Sequence, residues 1–429
     1  MIGWRALSGL LRAARGSATC AAAMGAVLLA SGCATPGRLE AVPASMEVEA
    51  QPDIPNVRFF PERDPAPFVQ MMAESWEKER ALHHLAPQDR LPPVAHLSIS
   101  GGGQDGAFAA GLLNGWTERG DRPTFQMVTG ISTGSLIAPF AFLGPSYDPV
   151  LRQAYTTVSD KDIFTKRPIT AALFGDAMRD TSPMARTVAH YVTRQLLDEI
   201  AVEYAKGRLL LIGTTDLDSR EPVFWNMGAI ASNQSPAALT LFRKIVLASA
   251  AIPAAFPPVM IDVTVNGHHY QEMHVDGGAT RQVFLYPRNV HLGESTVTTN
   301  DDRDRSVYII RNARLDPDWA STDRRTLSIA ARSISALIQT QGMGDMYREY
   351  LTSLRDGIHY NLTFIPSDFA DTHASDFDPV YMEKLFERGH AMALSGTEWL
   401  KAPPGYEPGE LVRSNAPEAR DAAATRSAR

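Results

Sequence analysis

QMVTGISTGSLIAPFAF runs from Gln126 to Phe142 and passes from a short β-type segment to an apolar helical one through Gly130-Ile131-Ser132-Thr133-Gly134-Ser135. Glycine on both sides of Ser132 suits a tight strand-to-helix elbow, which exposes the hydroxyl and leaves room for a tetrahedral adduct. Taken alone, a G-x-S-x-G run reads equally well as a buried turn whose serine hydroxyl is satisfied. Its neighbours in the chain have to decide.

Upstream, a strand over Ala95–Ser100 ends in Gly101-Gly102-Gly103-Gln104-Asp105-Gly106 and leads into the helical AFAAGLLNGW. Glycines here let backbone amides converge on one point beside a helix N-terminus, a geometry suited to developing negative charge or to a phosphate. Neither the dinucleotide fingerprint nor the phosphate-loop lysine is present. Downstream, the strand-like HHYQEMH is followed by Val275-Asp276-Gly277-Gly278. That run is a turn if read in isolation. A strand-end aspartate also reaches the carboxyl edge of an open α/β sheet, where ligands gather.

The segments between these motifs alternate between strand and helix patterns. Strands are expected at 95–100, 126–129, 208–215, 269–274, 306–310 and 359–365, and helices at 107–119, 133–142, 184–203, 237–249, 327–354 and 379–394. This alternation implies a mainly parallel sheet covered by helices, an α/β chain of three layers. There is no internal repeat.

The three motifs, in this order, resemble the patatin-like phospholipase family, whose pattern is D-G-G-G-x-R/K-G, then G-x-S-x-G, then D-G-G/A. Ala248-Ser249-Ala250-Ala251-Ile252-Pro253-Ala254-Ala255-Phe256-Pro257-Pro258 is similar to the segment the family carries before its aspartate. The resemblance covers about Leu91 to Leu400. It implies the three-layer α/β/α patatin-like fold, with Ser132 as nucleophile and Asp276 as its partner. It also implies an oxyanion hole from the amides of Gly102, Gly103 and Gln104, supported by Gly101, Gly106, Gly130, Gly134, Gly277 and Gly278. The reaction implied is hydrolysis of an acyl ester through an acyl-serine, with no cofactor or metal. A thioesterase or acyltransferase on the same site, and a lipid-binding envelope lipoprotein without catalysis, are the alternatives. An aspartate with an ordinary pKa near 4 is a poor base for a serine, so geometry and amide donors would have to compensate.

This chain departs from the family at two places. Ser100 replaces the usual Asp at the loop entrance, and Asp105 stands where a cation is common, which would weaken attraction for an anionic head group.

Other residues have blander readings. His274 is two positions from Asp276 and shares its strand face, with a structural role favoured over catalysis. A serine–acid–histidine triad would need a late histidine, and His359, His373 and His390 qualify by order alone. Asp216 and Asp218 resemble a metal pair but read as turn residues. Phe224, Trp225 and Met227 read as core. Ile334, Leu337 and Ile338, near Met343 and Met346, either border a lipid entrance or pack on the sheet.

The 429 residues are 44% hydrophobic and 21% charged, which allows a large core and excludes fibrous or wholly disordered classes. With 41 basic and 48 acidic side chains the net charge is -7, which argues against nucleic acid as a partner. The longest apolar run, Cys20–Ala30, is shorter than a membrane-spanning helix needs.

Arg5, Arg12 and Arg15 precede that run, and Ala30-Ser31-Gly32 lies directly before Cys33, so residues 1–32 read as a signal peptide. The arrangement resembles a bacterial lipobox, although Ala30 stands where Leu is usual. Cys33 would then carry the lipid and anchor the chain in the outer membrane. Residues 33–90 read as a proline-rich tether, Ala34 to Pro67, followed by a lead-in helix over Phe68–Leu85. Residues 91–400 form the acyl-hydrolase domain, and 401–429 a disordered tail.

Overall fold

A computed structural model describes residues 37–168, 175–292, 303–316, 319, 321–396 and 399–406. Its main sheet has nine strands. These are β1 (Arg58–Phe59), β2 (Val94–Ile99), β3 (Phe125–Gly130), β4 (Leu209–Asp216), β5 (Glu221–Asn226), β6 (Val259–Val265), β7 (His268–Asp276), β8 (Arg305–Arg311) and β9 (Ile358–Phe364). The longer helices are α1 (Ala66–Leu82), α2 (Gly106–Arg119), α3 (Thr133–Leu143), α4 (Asp148–Thr157), α5 (Ser182–Tyr191), α6 (Arg194–Ala205), α7 (Pro236–Ser249), α8 (Thr326–Arg355) and α9 (Pro379–Leu394).

The run Leu209-Leu210-Leu211-Ile212 shows why the fold has three layers. Side chains of a strand alternate between faces, and here both sets are buried. Leu210 and Ile212 join the core packed by α2, α3, α6, α7 and α9, while Leu209 and Leu211 join the one packed by α1 and α8. A strand covered on both faces reads as a continuous apolar run, as parallel sheets do. The five strands β4-β3-β2-β8-β9 are parallel throughout. The fold is therefore α/β/α with a mixed sheet whose central strands are parallel.

Antiparallel strands complete the sheet beside β4. β5 pairs along one edge of β4, and β1 covers β5 only at Phe224 and Trp225. No strand was expected at Glu221–Asn226, because Pro222 cannot donate to a ladder; it is tolerated where β1 leaves the edge uncovered. β6 and β7 form a hairpin, and β7 enters antiparallel to β4 rather than parallel.

Three expectations change. The helix expected at 184–203 is two, because Thr193 takes an extended conformation and its side chain accepts from the Leu196 amide at 3.2 Å, starting a new helix. The described part of the expected tether, residues 37–67, instead packs along the domain. Val42, Ala50, Ile54, Val57 and Phe60 are buried, and the Arg58 guanidinium is paired with buried Glu272 at 2.7 Å. These apolar groups gain more by leaving water than the strap loses in chain entropy. Of the expected tail, residues 401–406 follow a bridge at the end of the domain and pack on α8, where the Tyr347 hydroxyl donates to the Pro404 carbonyl at 2.8 Å. Leu362 and Leu400 exchange backbone hydrogen bonds at 2.9 Å, and Tyr406 packs on Tyr347 and Tyr350. Residues 1–36, with Cys33, and residues 407–429 lie outside the described part of the chain.

Candidate active site

Two strands approach each other head-on along one edge of β4. β3 lies on that edge until Gly130, which is in register with Ile212. β7 arrives from the opposite direction and ends with Asp276 opposite Thr214. Ser132 lies two residues beyond the end of β3, so the strand ends bring serine and aspartate together. The Ser132 side chain lies close enough to the Asp276 carboxyl to lower its pKa.

The elbow is strained in the manner its sequence suggests. Ser132 has φ 52° and ψ -123°, a region that side-chain-bearing residues seldom occupy. A Cβ on Gly134 would lie 2.2 Å from the Ile99 carbonyl oxygen, and one on Gly130 2.4 Å from that of Gly134. Neither position can carry a side chain without moving the turn. The Ser132 amide donates to Ser249 Oγ at 3.0 Å, and Ser249 Oγ donates onward to the Gly213 carbonyl at 2.7 Å. Ser135 Oγ donates to the Ser132 carbonyl at 2.7 Å. The strained turn is thus held from several sides.

Asp276 is 3% exposed. One of its carboxylate oxygens accepts the Gly278 amide at 2.7 Å. Burial pushes its pKa up, and the nearby Ser132 side chain and the Gly278 amide pull back only in part, leaving it at about 7. The ordinary value expected from sequence is thus corrected. Desolvation converts a weak carboxylate base into one matched to neutral pH.

The glycine loop lies beside the serine. A Cβ built on Gly101 would be 3.1 Å from Ser132 Cβ. Gly102 is solvent-accessible, and Gly103 to Asp105 form one 3-10 turn before α2. Among the described residues the amides of Gly102 and Gly103 have no protein acceptor. A Cβ on Gly102 would meet the Asn312 carbonyl oxygen at 2.2 Å, so only glycine fits there.

Sequence reading missed the groups that hold this loop. Asn312, just past β8, is fully buried; its amide donates to Ser100 Oγ at 2.9 Å, and its side-chain nitrogen donates to the Ser100 carbonyl at 3.0 Å. Ser100 Oγ donates to the Gly101 carbonyl at 2.7 Å, so the serine that departs from the family pattern ties the loop down. Gln282 bridges the two glycine turns. Its side chain donates to the Gly278 carbonyl at 3.4 Å, and its Oε1 lies 2.8 Å from where a Gly101 Cβ would be. Its own amide donates to Asp345 Oδ2 on α8 at 2.6 Å. No local motif marks Asn312 or Gln282. Ser249 falls within the recognised Ala248–Pro258 stretch, where its contact with the elbow was not apparent.

The other candidates lie apart from this centre. His274 is fully buried between Thr214 Oγ1 at 3.0 Å and Glu272 Oε2 at 3.1 Å. His390 pairs with Glu118 at 2.9 Å, and His373 contacts the Ser375 carbonyl at 2.8 Å. His359 is exposed on β9. Asp218 is bound by Arg38 and Asp216 closes its own turn, accepting the Asp218 amide at 3.0 Å. Phe224, Trp225 and Met227 are core. Asp105 accepts the Tyr381 hydroxyl at 2.9 Å, which occupies its carboxylate with α9. Among the described residues no group of three or more His, Cys, Asp or Glu is placed to hold a metal ion.

Residues 97–287 match the patatin-like phospholipase family. No curated protein matches the chain. Among solved structures, the crystal structure of VipD from Legionella pneumophila is similar at 12% identity and a TM-score of 0.30. That similarity covers 70% of this chain and 66% of VipD, a little under two thirds of the latter. The matched residues span the glycine loop, the serine elbow, the strand-end aspartate and the strands that carry them. The match to the patatin-like phospholipase family thus falls on residues 97–287, the part of this chain that carries the candidate site.

Proposed function

We propose that the protein hydrolyses acyl esters of phospholipids or lysophospholipids with a Ser132–Asp276 dyad. The observation that carries this reading is the juxtaposition of a serine at φ 52° with a buried aspartate whose pKa is raised to about 7. Ser132 Oγ attacks the acyl carbonyl as its proton passes to Asp276. The amides of Gly102, Gly103 and Gln104 receive the negative charge on the former carbonyl oxygen. Collapse of the adduct expels the alcohol, which takes the proton from Asp276 and leaves an acyl-serine. Asp276 then draws a proton from water as the water attacks, the carboxylic acid departs, and the proton returns to Ser132.

Turnover of fluorescent acyl esters and mixed phospholipids by wild type, Ser132→Ala and Asp276→Asn tests the dyad. Both variants are expected to lose about a thousandfold or more in kcat. A fluorophosphonate label on any residue other than Ser132 would place the nucleophile elsewhere.

We further propose that the chain is exported and held at the outer membrane by acylation of Cys33. Incorporation of labelled palmitate, abolished by Cys33→Ala, is the expected result.

A further inference from the structure

The strap that precedes α1 is fastened to β7 from its first described residues. The Arg38 guanidinium donates to both carboxylate oxygens of Asp218, at 3.0 and 2.7 Å, and to the Gln271 carbonyl at 2.6 Å. The Leu39 amide donates to Gln271 Oε1 at 2.9 Å, and the Gln271 amide donates to the Glu40 carbonyl at 3.0 Å. Further on, Gln51 and Thr264 exchange backbone hydrogen bonds at 3.0 and 2.8 Å, and the Arg58 guanidinium is paired with buried Glu272. Freeing this stretch would expose its buried apolar side chains and leave Glu272 inside the protein without its cation, so the strap stays down.

That attachment sets how far the chain can stand from its own N-terminal segment. Arg38 is five residues from Cys33. Whatever path those residues take, they span at most about 18 Å. A tether free as far as Pro67 would instead reach more than about 100 Å when extended. The fixed end also lies close to the catalytic pair. Asp218 is four residues beyond Thr214, which is opposite Asp276, and Gln271 is five residues before Asp276 on β7. These are at most about 14 and 17 Å of chain. Leu39 and Leu217, the sequence neighbours of the Arg38–Asp218 pair, are 48% and 39% exposed. The Leu217 amide donates to the Met273 carbonyl at 2.9 Å, so both leucines are tied to one stretch of β7.

We propose that the strap makes the N-terminal segment a short fixed tether. Acyl chains on Cys33 then seat the edge of the protein around Arg38, Leu39 and Leu217 on the bilayer that holds them, and bring the Ser132–Asp276 site to that surface. The occupant of this edge is a lipid bilayer because no more than about 18 Å of chain separates it from the anchor. Lipids of the anchoring membrane are the substrate within reach. The inference rests on the acylation of Cys33 and, for its purpose, on the acyl-hydrolase reading.

Full-length protein is matured in cells fed labelled palmitate and reconstituted in phosphatidylcholine vesicles. The chain has two cysteines, and cleavage before Cys33 leaves that one alone and acylated, so a single fluorophore can be placed through Leu217→Cys or Thr124→Cys. Thr124 is exposed just before β3, at the end of that strand opposite to Ser132. Unchanged circular dichroism and Tm will show that the variants fold. Quenching by a lipid with a nitroxide on its head group should be at least about threefold stronger at position 217 than at position 124. A flexible Gly-Ser insertion of about 30 residues between Pro36 and Gly37 should remove most of that difference. The insertion should also lower hydrolysis of the host vesicle's phospholipid by about fivefold or more, because a longer tether dilutes the site away from its surface. Turnover of a soluble short-chain ester should stay within about twofold of wild type. Palmitate on Cys33 with equal quenching at the two positions overturns the fixed tether and leaves the anchor standing. So does an insertion that changes neither quenching nor vesicle turnover. Absence of palmitate from Cys33 removes the anchor and this inference with it. If quenching is as described yet the soluble ester stays intact, the tether stands and the acyl-hydrolase reading fails.

Discussion

Asp276→Asn should abolish turnover and at the same time stabilise the protein. In the fold the carboxyl titrates at about 7, against an ordinary value of 3.8 in the unfolded chain. Each unit is worth about 1.4 kcal/mol, so the charged form is disfavoured inside the protein by roughly 4 kcal/mol. Between the two pKa values the unfolded chain has released this proton and the folded one retains it. Stability from this group is therefore greatest below about pH 4, falls as pH rises toward 7, and is flat above. Asparagine accepts the Gly278 amide with its oxygen and can donate to Ser132 with its nitrogen, but it has no charge to desolvate. At pH 8 the variant should need more urea to unfold than wild type, with a gain of up to roughly 4 kcal/mol that vanishes near pH 4. The same titration governs catalysis, since the dyad works only with Asp276 ionised. kcat/KM of wild type should rise about tenfold from pH 6 to pH 7.5 and then level off. Parallel urea melts of wild type and variant at pH 4, 6 and 8, with a pH–rate profile on a soluble ester, provide the measurements. A profile flat from pH 5 to 8, or a variant less stable than wild type at pH 8, would refute the desolvation argument.

Ser249→Ala removes the acceptor of the Ser132 amide and the donor to the Gly213 carbonyl, leaving both buried. It should lower stability by about 1–3 kcal/mol and reduce kcat more than it raises KM, as separate melts and kinetics will show. Gly134→Ala places a methyl group 2.2 Å from the Ile99 carbonyl oxygen. Labelling of Ser132 by a fluorophosphonate should fall well before the far-ultraviolet circular dichroism changes, because the elbow moves and the sheet does not.

The reading of the chain as α/β, the positions of its parallel strands within a residue or two, and the three motifs are all legible in local patterns. The apolar run at Leu209–Ile212 and the glycine spacing around Ser132 depend on neighbours a few residues apart, so periodicity and turn chemistry suffice to find them. β5 and β6 were not legible, since Pro222 and the polar alternation of Val259–Val265 are accepted only because β4 and β7 supply partners. The long helix α8 was legible as a helix, but its apolar residues fit burial and exposure equally well in sequence.

What the sequence determined by itself is which groups are available: a serine in a glycine elbow, a glycine-rich loop, and an aspartate followed by two glycines. Tertiary structure alone decided that β7 meets β3 end to end on β4, that Ser100, Asn312, Gln282 and Ser249 hold the turns, and that the aspartate is dry enough to titrate near neutrality. Register between distant strands and the loss of water around a carboxylate depend on every residue that packs there. No window of a few residues contains that information.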